Sequence, residues 1–210
     1  MKKCVIFDVD GTINQTAIYA LPAYRKALGE RGREISDSEI ISCIGLSPAM
    51  IIEKLFGSLE GAKLEKWRQD IRDYEFMFMD EEAAAFPRME ETMRKLQAAD
   101  YELAICSNAF PEHIKHVLHA IHLEKYFTLI GSLELGTTKE EVLQNLLIKA
   151  DCEQACMVGD RKFDVQAARH CSIPVIGCAY GYAPEEIRDA DQIVSSAVEI
   201  YEAVEVLLGD

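Results

Sequence analysis

Short apolar runs, separated by stretches of helical patterning, constrain this chain more than any other feature. Residues 4–7, 102–106, 155–158, 174–178 and 192–194 form five such runs, and 128–130 form a weaker sixth. Runs that are apolar throughout, rather than alternating, read as strands buried on both faces. Between them lie amphipathic segments at 89–98, 111–122, 139–150 and 165–170. Alternation of strand and helix predicts an α/β chain, a Rossmann-like and mostly parallel sheet with helices on both sides. In such sheets the ligand sits beyond the carboxyl ends of the strands. Chemistry is therefore expected in the residues that follow each apolar run.

One interval breaks the alternation. Residues 14–84 read as helices only, with Ile18, Leu21, Tyr24, Ala27 and Leu28 at helical spacing. That is far more chain than the roughly dozen residues a βαβ crossover needs. The surplus is expected to be a small all-helical cap domain, 14–84, inserted after the first strand of a catalytic core made of 1–13 and 85–210. Residues 14–16 and 85–87 are its expected hinges. Phe76, Met77, Phe78 and Met79 suit either the core of this insert or the lining of the cleft beneath it, with core favoured.

Composition narrows the partners. The 210 residues carry 22 Lys and Arg against 36 Asp and Glu, a formal charge of −14. Nucleic acid and anionic membrane surfaces would both be repelled, so a small-molecule substrate is expected, with monomer and dimer equally open. No apolar stretch approaches the roughly 18 residues of a membrane span. Asp8 and Asp10 interrupt the apolar opening too early for a signal peptide. Cys152 and Cys156 stand four apart, outside Cys-x-x-Cys spacing and with no second pair to complete a zinc site. A reducing, cytoplasmic setting is expected, with Cys4, Cys106, Cys156 and Cys178 as small buried hydrophobes.

The sharpest signals fall where the apolar runs end. The first gives way to Asp8-Val9-Asp10-Gly11-Thr12. Two like charges about 4 Å apart repel by about 4 kcal/mol at an effective dielectric near 20, which a divalent cation or a shared proton would offset. Gly11 lets the chain turn sharply away; a solvated strand end is the plainer alternative. After 155–158 comes Gly159-Asp160-Arg161-Lys162-Phe163-Asp164. With a helix starting near Lys162, Asp160 sits on the strand tip and Asp164 in the first helical turn. Both could face a common cation, or Asp164 could simply serve the positive end of the helix. After 102–106, Ser107 and Asn108 precede Pro111 at a helix start, a ready phosphate cradle and also an ordinary turn. Thr138 with Glu141 matches a capping box and places Lys139 at the first helical position. A cation there opposes the helix dipole by roughly 0.3–1 kcal/mol. A phosphate or a carboxylate cluster is expected to hold it, unless it is a tolerated surface lysine.

Taken in order, Asp-x-Asp-Gly-Thr, a serine at a strand end, a lysine and Gly-Asp-x-x-x-Asp resemble the haloacid dehalogenase-like hydrolase superfamily over essentially the whole chain. The 14–84 insert occupies the position of that family's small cap. Residues 159–164 and Gly177-Cys178-Ala179-Tyr180-Gly181-Tyr182 are similar to its phosphoglycolate-phosphatase-like group. The resemblance implies a Mg²⁺-dependent phosphatase that hydrolyses a small phosphomonoester through an aspartyl-phosphate. Asp8 would be the nucleophile, and Asp10 the general acid and then the base. Ser107, Asn108 and Lys139 would hold the phosphoryl group. Mg²⁺ would be bound by Asp8, the backbone carbonyl of Asp10 and Asp160, with Asp164 either a direct ligand or holding one of the ligands in place. One departure stands out: the family's lysine is commonly followed by proline, and here Glu140 follows. With Asp10 protonated, Asp8, Asp160 and Asp164 give −3 and Mg²⁺ with Lys139 gives +3, a neutral site able to admit a phosphate.

The same core serves nucleotide 5′-phosphatases and pyrophosphatases, which remain alternatives. An Asp two residues past the nucleophile suits an alcohol leaving group and disfavours carbon–halogen or carbon–phosphorus cleavage. A sugar-phosphate mutase commonly needs a histidine in the segment entering the cap, and 14–27 contain none. A non-catalytic binding protein is disfavoured because every catalytic position holds a competent residue. His113, His116, His119 and His122 sweep around half of their helix, opposite Ile114, Val117, Leu118 and Ile121. They are expected to form a solvated face rather than a metal stripe. Specificity is expected to come from Cys43-Ile44-Gly45-Leu46-Ser47, where Gly45 would either let the ligand approach or serve an interhelical turn.

Overall fold

The computed structural model describes residues 2–209. Strands β1 (Lys3–Phe7), β2 (Tyr101–Cys106), β3 (Leu129–Gly131), β4 (Gln154–Gly159), β5 (Val175–Cys178) and β6 (Gln192–Val194) form one sheet in the order β3-β2-β1-β4-β5-β6. Every neighbouring pair is parallel. The six apolar runs are thus all strands, and the fold is the expected α/β sheet. The reason they are apolar throughout is visible in the packing. Val5, Phe7, Leu103, Ile105, Cys156 and Val158 enter one core. Cys4, Ile6, Ala104, Cys106, Ala155 and Met157 enter the other. Alternate residues of each strand face opposite sides, and both sides are covered.

Helices α1 (Ala17–Gly29), α2 (Asp37–Ile41), α3 (Pro48–Phe56) and α4 (Gly61–Glu82) fill the interval after β1. Then follow α5 (Met89–Ala98), α6 (Pro111–Ala120), α7 (Lys139–Ala150), α8 (Lys162–His170) and α9 (Ile200–Leu208). The first core takes Met93 and Leu96 of α5, Ile114 and Val117 of α6, and Ile200 and Val204 of α9. The second takes Val142 and Leu146 of α7 with Val165 and Ala168 of α8. Helix α9 has no counterpart among the expected segments. Helix α8 starts earlier than its apolar pattern, because Asp164 accepts the Arg161 N–H at 2.9 Å and caps the first turn. Helix α6 stops at Ala120, and His122 turns the chain with φ of 59°.

The two passages into and out of the helical interval pair with one another. Gln15 N–H donates to the Ala84 carbonyl and Phe86 N–H to the Ile13 carbonyl, each at 2.9 Å. The Gln15 side chain adds a bond to the Ala85 carbonyl at 2.8 Å. Within the interval α1 packs along α4, and Trp67 meets Tyr24 and Phe56 edge-on at 6.0 and 4.9 Å. The Phe-Met-Phe-Met run divides: Met79 is buried, whereas Phe76 lines the cleft and stacks on His116 at 4.1 Å.

Candidate active site

Parallel pairing brings the polar residues together. β1 and β4 run in register with Phe7 beside Val158, and Asp8 N–H continues the ladder to the Val158 carbonyl at 2.9 Å. Asp8 and Asp160 therefore leave adjacent strand tips, and the first turn of α8 adds Asp164. All three are buried, and each offers an oxygen within 4.8 Å of the others. Lys139, at the first position of α7, enters this cluster with its ammonium 2.9 Å from Asp8 Oδ1 and 2.6 Å from Asp164 Oδ1. This is the carboxylate cluster its helix position demanded. Thr138 does accept the Glu141 N–H, but the Glu141 carboxylate closes on the N–H and hydroxyl of Thr137 instead of Thr138. The expected reciprocal capping box is thus extended by one residue.

The support for Asp160 comes from two turns. Tyr182 N–H donates to its Oδ2 at 2.8 Å, and the Thr12 hydroxyl approaches Oδ1 at 3.4 Å. Gly11 has φ of +80°, and a side chain there would run into the Asp160 carboxylate and the Tyr182 ring. Tyr182 in turn accepts the Ala17 N–H at 2.7 Å, and Tyr180 donates to the Thr12 carbonyl at 2.9 Å. The loop at 177–182 thereby braces both Asp160 and the entry to α1.

Three carboxylates and a single ammonium leave the cluster short of positive charge. Burial pushes the Asp160 carboxyl up to about 7, with Asp164 adding to the rise and the Tyr182 N–H opposing it. Burial likewise raises Asp8 well above the ordinary range; Lys139 pulls it back, while Asp164, Asp160 and Asp10 push it further. For Lys139, burial opposes the charge, but Asp164 and Asp8 outweigh it and raise the ammonium. Asp8 Oδ2 is buried and has no hydrogen-bond partner among the described residues. An all-oxygen, anionic and under-compensated donor set of this kind fits a hard divalent cation such as Mg²⁺.

Asp10 turns away from this cluster. Its Oδ1 accepts from the Thr16 hydroxyl at 2.8 Å and the Tyr19 hydroxyl at 3.3 Å, and lies 3.9 Å from His113 Nε2. His113 Nδ1 lies 3.6 Å from the Glu75 carboxylate of α4. Burial lowers His113, but Asp10 and Glu75 outweigh it and push the imidazole up to about 10. Burial raises Asp10, yet the His113 imidazole and the two hydroxyls bring it below the ordinary carboxylate value. The expectation of a solvated histidine face is corrected here. His119 is exposed and His116 pairs with Asp80 at 2.8 Å, but His113 points inward at Asp10. The assumption of a protonated Asp10 is corrected with it, since the surroundings hold Asp10 below the ordinary carboxylate value and raise His113 beside it.

Ser107 follows β2 directly, with its hydroxyl accepting the Ala109 N–H at 3.2 Å and its proton left to donate. Asn108 donates to the Gly45 carbonyl at 3.1 Å, and the Arg161 guanidinium donates to the Ile44 carbonyl while pairing with Glu186 at 2.9 Å. The loop at 43–47 is thus held from below by two side chains of the sheet layer. Gly45 has φ of +81°, and a side chain there would press within 3.2 Å of Arg161. A cavity of about 680 Å³ opens over the site, bordered by Asp8, Asp10, Gly45, Ser107, Asn108 and His113. Lys139, Asp160 and Asp164 stand behind Asp8 rather than on the cavity wall. Glu75, His113, Tyr19 and Arg161 were not among the expected site residues. No helix among the described residues is long and apolar enough to cross a membrane.

Comparison with known proteins gives a consistent picture. The profile of the haloacid dehalogenase-like hydrolases matches residues 5–178. The phosphoglycolate phosphatase of Mesorhizobium japonicum is 23% identical over 98% of this chain and 94% of its own length. The pyrophosphatase PpaX of Listeria innocua is 25% identical over 87% of this chain and 86% of its own. In fold, the crystal structure of a predicted phosphatase from Clostridium acetobutylicum superposes with a TM-score of 0.85 at 22% identity, covering 99% of this chain and all of that one.

Proposed function

This chain belongs to the haloacid dehalogenase-like hydrolase family, and on that premise we propose that it is a Mg²⁺-dependent phosphatase acting on a small phosphomonoester through an aspartyl-phosphate. The observation that carries the reading is the state of Asp8. One carboxylate oxygen is pinned by Lys139 at 2.9 Å while the other is unpartnered, and the residue borders the cavity. A carboxylate held this way is oriented to attack phosphorus. Asp8 forms the new P–O bond as the bond to the leaving alcohol breaks, and that oxygen takes a proton that passes from the His113 imidazolium through Asp10, leaving His113 neutral. In the second half-reaction Asp10 accepts a proton from water as the water attacks the phosphoryl group, which frees Asp8 and releases phosphate. Ser107 is placed to donate its hydroxyl proton to a phosphoryl oxygen. The ammonium of Lys139 holds Asp8 and offsets charge beside it.

Asp8, Asp160 and Asp164, with the backbone carbonyl of Asp10, would hold the Mg²⁺. When bound, the ion supplies Lewis-acid charge that lets carboxylates and a phosphate dianion share one site. The charge count supports this. Asp8, Asp160 and Asp164 give −3 and Lys139 gives +1, a deficit that Mg²⁺ would close, while His113 stands between Asp10 and Glu75 outside this cluster. The named relatives act on phosphoglycolate and on pyrophosphate, so their names support phosphate-ester or phosphoanhydride hydrolysis without choosing the leaving group.

The test is hydrolysis of p-nitrophenyl phosphate with and without Mg²⁺. Turnover that needs the metal and vanishes in Asp8→Asn is expected. An Asp8→Asn protein that keeps full activity would exclude Asp8 as the nucleophile. Rapid-quench labelling of Asp10→Asn should detect accumulated phosphoenzyme.

A further inference from the structure

The leaving group must lie next to Asp10, on the cavity side, because Asp10 supplies its proton. What the protein places there is acidic. Glu75 projects from α4 with its side chain only 14% exposed, one imidazole's width from Asp10 through His113. His113 is the nearest cation, but neither ring nitrogen is spare. Nδ1 faces Glu75 at 3.6 Å, and Nε2 faces Asp10 at 3.9 Å and the Tyr19 hydroxyl at 3.4 Å. Around the rest of the wall, Glu65, Glu112 and Glu134 add to Glu75. Against them stand Arg68 and Arg72, both half exposed and already facing Glu65 at 3.1 Å and Asp73 at 3.5 Å. Between these groups the cavity is apolar, lined by Ile44, Ile51, Trp67, Ile71, Phe76 and Phe110. A second anionic group on the substrate would therefore meet a like charge and an apolar wall, with no unengaged cation on the cavity wall among the described residues to receive it.

We infer that Glu75 selects phosphomonoesters whose alcohol carries no anionic group, which disfavours phosphoglycolate and pyrophosphate and admits neutral alcohols as bulky as a nucleoside. The inference rests on the phosphatase reading above and narrows it. Pocket charge acts on the ratio of kcat/KM between matched substrates, and the net negative charge left where Asp10 and Glu75 share the single cation His113 is worth about tenfold in that ratio.

The test compares phosphoglycolate with 2-hydroxyethyl phosphate, which has nearly its size without the carboxylate, and adds pyrophosphate as a third arm. In the intact protein 2-hydroxyethyl phosphate should exceed both others at least tenfold in kcat/KM. Glu75→Gln should bring phosphoglycolate to within about threefold of 2-hydroxyethyl phosphate. Glu75→Asp, which keeps the charge, should preserve the preference for the neutral ester. A ratio between two substrates is insensitive to partial misfolding, since both share the same active fraction. Equal or better turnover of phosphoglycolate or pyrophosphate in the intact protein would overturn the inference, as would an unchanged ratio in Glu75→Gln. If p-nitrophenyl phosphate is cleaved while phosphoglycolate is preferred, only this inference falls. If no phosphate ester is cleaved at all, the phosphatase reading falls and takes the inference with it.

Discussion

Asp160→Asn should make the metal-free protein more stable, although it removes a residue placed in the metal cluster. Asp160 is fully buried, and its carboxyl is raised from 3.8 to about 7 by burial and by Asp164. Below about pH 4 the group is protonated in both folded and unfolded chains and costs the fold nothing. Between pH 4 and 7 the unfolded chain ionises while the folded one does not, so each pH unit removes up to about 1.4 kcal/mol of stability. Above pH 7 the loss is complete, with a ceiling of about 4 kcal/mol; water penetration and side-chain relaxation should leave about 2 kcal/mol. Asparagine carries no such penalty. Its carbonyl can still accept the Tyr182 N–H that now binds Oδ2 at 2.8 Å, and its amide can meet the Thr12 hydroxyl. For a chain of this size the gain corresponds to a rise of about 4–8 °C in Tm. The assay is thermal unfolding in EDTA at pH 4.5, 6 and 8. The variant and the intact protein should differ least at the lowest pH and separate as pH rises. Mg²⁺ at a hundred times its Kd should add about 2.7 kcal/mol to the intact protein and much less to the variant. A variant no more stable than the intact protein at pH 8 in EDTA would refute the claim that these carboxylates are under-compensated.

Lys139→Met keeps the volume of the side chain but leaves Asp8 and Asp164 without their ammonium, now at 2.9 and 2.6 Å. Urea unfolding at pH 7.5 without Mg²⁺ should show a loss of about 3–5 kcal/mol, and a loss below about 1 kcal/mol would mean the ammonium is not the principal counter-charge. Asn108→Ala removes the bond to the Gly45 carbonyl, so KM for a phosphomonoester should rise severalfold with kcat nearly unchanged. A fall in kcat at constant KM would instead assign Asn108 to the phosphoryl group in the transition state.

The parts of this site that were legible in the sequence are those that follow from local rules. A parallel sheet aligns strand tips, so residues just past β1, β2 and β4 had to be neighbours once the apolar runs were read as strands. The register Phe7 beside Val158 puts Asp8 abreast of Gly159, one residue before Asp160. Asp164 followed from the helix start, and the buried Lys139 from a charge placed against a helix dipole. Helix α9 was missed although Ile200, Ala203, Val204 and Leu208 stand at helical spacing. His113 and Glu75 were missed for a different reason. Periodicity grouped His113 with His116, His119 and His122 on the side of α6 away from the core, which is ordinarily wet, although His113 lies one turn before Val117 and so at the edge of the apolar face. Here α4 covers that face, so the side of α6 turned away from the sheet becomes the wall of the cavity instead of the surface. Hydrophobic patterning reports which residues pack against a sheet, but not which polar residues a later layer encloses. A glutamate on one helix and a histidine on another carry no mutual signal until tertiary packing sets them 3.6 Å apart. The residues proposed to perform the chemistry are tied to the sheet and so to the sequence pattern. Those argued to choose the substrate lie at a contact between layers, where neither element alone encodes the partner.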